Sequence, residues 1–99
     1  MEIEKYILGL ERIPSEGDEQ FRLLSNAVND LIVNDFDKLI YILYRVDVSE
    51  KKLRGLLEES TADAGVIIAR MLLEREAQKR KFRAANKINK NDIPEDDRW

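Results

Sequence analysis

The side chains here that could do chemistry are carboxylates, tyrosines, lysines and arginines, because the 99 residues include no histidine and no cysteine. Their absence removes the commonest general base and metal ligand, and also the disulfide, the thiol nucleophile and the thiolate metal site. Asp35-x-Asp37 has the spacing of a hard-metal carboxylate pair. The same two residues suit the N-cap and first turn of a helix starting at Phe36, which accounts for both without an ion. Tyr44, Arg45, Asp47, Glu50 and Lys52 crowd one corner between helices. Two readings apply there: a polar pocket for a small anion, and an Arg–Asp pair that fixes the turn, the commoner arrangement. Asp63 is a second candidate partner for Arg45. No phosphate-binding glycine loop, nucleophile elbow or zinc pattern occurs. No catalytic set, cofactor or metal is implied, and the expected role is not enzymatic.

Charge is the other chemical feature. Net charge is −3, with 37 % charged residues. Residues 1–69 carry eight Lys/Arg against fourteen Asp/Glu, residues 70–90 eight against two, and residues 91–99 one against four. An acidic body therefore carries a basic arm and an acidic tail. The arm comprises Arg70, Arg75, Lys79, Arg80, Lys81, Arg83, Lys87 and Lys90, with Phe82 among them. It reads as a partner-binding surface, with nucleic acid as one anionic candidate, attracted through counterion release. The competing reading is a solvated helix end: cations there complement the dipole, Glu76 and Arg80 are an i,i+4 pair, and the whole chain is acidic. The tail, which ends in Trp99, could fold back and mask the arm.

The elements that must position these groups read as helices. Apolar residues make up 43 %, enough for one domain with one modest core. Phe36–Val46 is the most apolar run and is taken as the centre of the fold. A buried strand is the alternative over Leu39–Tyr44, but the caps and the spacing of Phe36, Leu39, Ile40, Leu43 and Val46 favour a helix, with Tyr41, Ile42 and Tyr44 on its other faces. Before it, Glu2–Leu10 is predicted helical, and Pro14 and Gly17 break the pattern. A second helix starts near Ser15 or Asp18 and carries the stripe Phe21, Leu24, Val28, Leu31 and Ile32. It is expected to end near Asn34, a residue that tolerates the left-handed conformation of a helix C-terminus. After the central helix, Ser49 caps a short helix bearing Leu53, Leu56 and Leu57, with Val48 placed for a hydrophobic staple.

Thr61 is then the N-cap of a helix running from Ala62 to about Asn86, roughly 37 Å if continuous. Its first half is apolar nearly all round, and Ala62, Gly65, Ala69 and Leu72 form a face that admits a close neighbour, with tight packing within the fold as the plainer reading and a dimer interface as the other. Two helices needing cover on several sides exceed what one small bundle supplies, so a homodimer pairing the long helices is expected. The fold class is all-α, a bundle of four to five helices with a long basic C-terminal helix. Residues 1–86 form a single domain and 87–99 a flexible acidic tail. No run is long enough to cross a bilayer and the N-terminus is not a signal peptide, so a cytoplasmic setting with no membrane contact is expected.

Asp35-Phe36, the block Tyr44–Leu53, the string Asp63–Ala69 and Leu73-Glu74-Arg75 are similar to a family of short uncharacterised all-helical proteins from Bacteroidetes-type bacteria. The resemblance spans residues 30–80 and leaves out the N-terminal helix and basic tail. It implies a bacterial, cytoplasmic, helical protein and transfers no activity, cofactor or site residue. The combined expectation is a non-catalytic helical interaction protein that self-associates, with nucleic-acid binding through the basic helix as the alternative.

Overall fold

The computed structural model describes residues 1–89, with side chains described through residue 85. It is an all-α bundle of five helices: α1 Ile3–Leu8, α2 Glu19–Asn34, α3 Phe36–Val46, α4 Glu50–Glu59 and α5 Ala64–Asn89. Of the expected flexible tail 87–99, residues 87–89 instead continue α5, and residues 90–99 lie outside the described residues, as does the side chain of Lys87.

The caps follow the sequence in part. Asp35 is the only residue between α2 and α3, and its carboxylate accepts the Lys38 N–H at 3.2 Å. Ser49 caps α4 in the same way, accepting from the Lys52 N–H at 3.2 Å. α2 ends at Asn34 as expected, but Asn34 itself is helical, and the left-handed residue is Asp47, φ 66°, closing α3. Thr61 does not cap the long helix. That helix starts two residues later than expected, because Asp63 accepts the Val66 N–H at 3.3 Å and also the Asn29 side-chain amide at 2.7 Å from α2. A cap that also ties down a neighbouring helix is favoured over one satisfying only its own turn.

α5, not α3, is the element around which the bundle is built. It touches each of the other four helices, with α2 as its main neighbour. Ile67, Ile68, Ala69, Met71, Leu72 and Leu73 are all buried within the one chain. α2 adds Phe21, Leu24 and Val28, α1 adds Ile3 and Ile7, and Leu53 comes from α4. α3 buries Leu39, Ile42 and Val46, so its core face is rotated from the expected one: Ile42 points in while Phe36 and Ile40 point out. With only one residue joining it to α2, its direction is fixed by that corner, and the i, i+3, i+7 set is the one that meets the core.

Candidate functional site

The expected polar corner does not assemble. Tyr44 is exposed to solvent. Arg45 reaches back to Glu4 of α1 at 3.3 Å and donates to the Tyr41 hydroxyl at 3.3 Å, with its guanidinium 5.7 Å from that ring. Asp47 pairs not with Arg45 but with Arg75 of α5, whose Nη2 lies 3.1 Å from its carboxylate and whose Nε donates to its carbonyl at 3.2 Å. Asp63 is held by Asn29 and by its own helix, not by Arg45. An Arg–Asp pair does fix the α3–α4 turn, with a different arginine. Asp47, Ser49, Lys52, Glu74 and Arg75 line a surface groove there that mixes both signs of charge.

The basic arm is largely spent inside the molecule. Arg70 pairs with Glu16, Nε to carboxylate at 2.7 Å. Glu76 is only 3 % exposed; it accepts from Arg80 at 2.8 Å and from Arg83 at 3.2 Å, and Arg80 also donates to the Ile7 carbonyl at 3.1 Å. Such pairs hold a buried carboxylate that would otherwise be costly. Lys79 and Lys81 make no ion pair among the described residues, and Phe82 beside them is 66 % exposed. The resolved pKa shifts belong to a surface pair on α2, where hydrogen bonds from Arg22 hold the Glu19 carboxyl below its ordinary value and raise the arginine in turn.

The small-residue face follows the plainer of its two readings, packing against α2 of the same chain, and is not left open for a second long helix. Ala62 lies before the helix and is exposed, whereas Gly65, Ala69 and Leu72 are buried. A Cβ added at Gly65 would come within 2.5 Å of the Asn29 side chain, so the missing side chain is what lets α2 cross here. α5 therefore presents no spare apolar face in its first half.

The surface feature that sequence reasoning missed lies on α3. Val33 at the α2–α3 corner is 81 % exposed, Phe36 55 %, Ile40 48 %, Tyr41 55 % and Tyr44 84 %. The signal was present as the four-residue steps Phe36, Ile40, Tyr44, but a stripe at that spacing reads equally well as core. Among the described residues no group of three metal-capable side chains forms, and no helix is long and apolar enough to cross a membrane. Comparisons with protein-family models, curated proteins and solved structures returned no match.

Proposed function

We propose that this chain is a non-catalytic helical interaction protein that self-associates, with the outer face of α3 as its docking surface. The observation that carries the reading is the run of five large apolar side chains left in solvent at Val33, Phe36, Ile40, Tyr41 and Tyr44. A small helical protein with polar residues to spare has no packing reason to leave them there, and contiguous patches of this kind mark interaction sites. Tyrosine suits the role, combining a large apolar body with a polar tip. α3 spans only about 16 Å, so the interface is small and a dissociation constant on the order of micromolar is expected. With it we propose a bacterial cytoplasmic setting, supported by the resemblance to Bacteroidetes-type proteins alone.

Analytical ultracentrifugation tests it. The wild type should pass from monomer to dimer between low and high micromolar concentration, and Ile40→Asp should stay monomeric with an unchanged helical circular dichroism spectrum. A wild type that is monomeric throughout overturns the reading.

A second reading gives the polar half of α5 a nucleic-acid contact. It is supported by Phe82, an exposed ring with Lys79, Lys81 and Arg83 around it, which fits base stacking. The internal pairs of Arg70, Arg75, Arg80 and Arg83 weigh against it. Fluorescence titration with single-stranded oligonucleotide at low and high salt decides, since a genuine contact weakens steeply with salt.

A further inference from the structure

Resting on that reading, we propose that two copies pair α3 against α3 in antiparallel fashion, about a two-fold axis passing between Ile40 and Tyr41, with Asp37 of each copy meeting Arg45 of the other. Charge is distributed unevenly around the stripe. Phe36, Ile40 and Tyr44 advance around the helix by about 40° at each four-residue step. Asp37 lies just beyond Tyr44 on the wheel, followed by Tyr41 and then Arg45. One edge of the stripe is therefore apolar, and the other carries an acid near its N-terminal end and a base near its C-terminal end.

A two-fold axis perpendicular to both helices keeps each edge on its own side and inverts its direction. The acidic end of one charged edge then lies beside the basic end of the other, twice over. Parallel pairing sends the two charged edges to opposite sides and leaves neither charge answered. Antiparallel pairing also opposes the two helix dipoles. With the axis between Ile40 and Tyr41, each of these residues lies within one residue rise of its own counterpart in the second copy. Phe36 falls within one residue rise, about 1.5 Å, of Tyr44 of the second copy, and Asp37 equally near Arg45.

The two charges are placed to respond. Asp37 is exposed and has no ion-pair partner among the described residues, since the neighbouring Lys38 turns to Glu2 at 3.4 Å. Arg45 holds Glu4 through one terminal nitrogen and Tyr41 through the other, yet its side chain stays 53 % exposed. A guanidinium has five N–H donors, so a further carboxylate can be accommodated.

The chain has no cysteine, so single thiols report pairing cleanly. Asp37→Cys and Arg45→Cys proteins are oxidised separately and as a mixture, at a concentration where the wild type is dimeric. A disulfide-linked species that forms in the mixture, and in neither protein alone, is the expected result. Linkage of Asp37→Cys to itself overturns the antiparallel arrangement and leaves self-association standing. The absence of any linked species from a wild type that does dimerise overturns the α3–α3 contact. A wild type that never dimerises overturns the underlying reading itself. In a parallel measurement Asp37→Arg should weaken the dimer roughly tenfold, and adding Arg45→Asp should restore most of it.

Discussion

Asp47 is the one described residue other than glycine with a positive φ, and it offers both its carbonyl and its carboxylate to Arg75. Strain and pairing oppose each other at this position. Asp47→Gly removes the left-handed penalty and keeps the carbonyl contact, so its stability should fall within about 0.5 kcal/mol of the wild type. Asp47→Ala keeps the strain and loses the carboxylate, and should cost about 1 kcal/mol in urea unfolding. Glu76 makes the opposite case. It was readable as a helix partner of Arg80 from spacing alone, but nothing in the spacing shows that it is buried or that Arg83 and the Ile7 carbonyl join the group. Glu76→Ala removes the buried carboxylate that accepts from Arg80, whose side chain is 26 % exposed, and from Arg83, which lies largely in solvent, and should cost about 2 kcal/mol. An effect below about 1 kcal/mol would mean that the arginines simply swing into solvent.

At the scale of helices, the number and order of elements were legible, because Pro14, Gly17, Ser49 and the Asp35 cap punctuate the chain strongly. Which helix is central was not. Phe36–Val46 is the more continuous apolar run, but it is 11 residues long against the 26 of α5, and only the longer rod can touch every other helix. Hydrophobic spacing reveals a periodicity and not the direction of the neighbours, which is why Phe36 and Ile40 read as core while Ile42 occupies it. The two helices should answer mutation differently. Leu72→Ala, at the fully buried crossing of α5, should lose about 3 kcal/mol. Tyr44→Ala on α3 should change monomer stability by less than about 0.5 kcal/mol. Chemical denaturation at a concentration where the protein is monomeric makes the comparison.

Across the whole molecule, the acidic body and basic arm that stand apart in the linear sequence are interleaved in space. Glu16 meets Arg70, Asp47 meets Arg75, and the arm's own Glu76 takes Arg80 and Arg83. Blocks of charge along a chain cannot reveal pairs that form across dozens of residues, and this is where the sequence reading of the arm and of the polar corner ran out. The proposed dimer belongs to this scale too. Because association stabilises the folded state by mass action, the melting temperature should rise with protein concentration in the wild type and stay flat in Ile40→Asp. A concentration-independent wild type would count against pairing.

The bond from Arg80 to the Ile7 carbonyl joins residues 73 positions apart. Ile3 and Ile7 bury themselves in a core largely supplied by residues synthesised long after them. α1 therefore cannot complete its seat until α5 has been made. Until the chain has grown past Arg80, α1 is a six-residue segment too short to hold its shape alone.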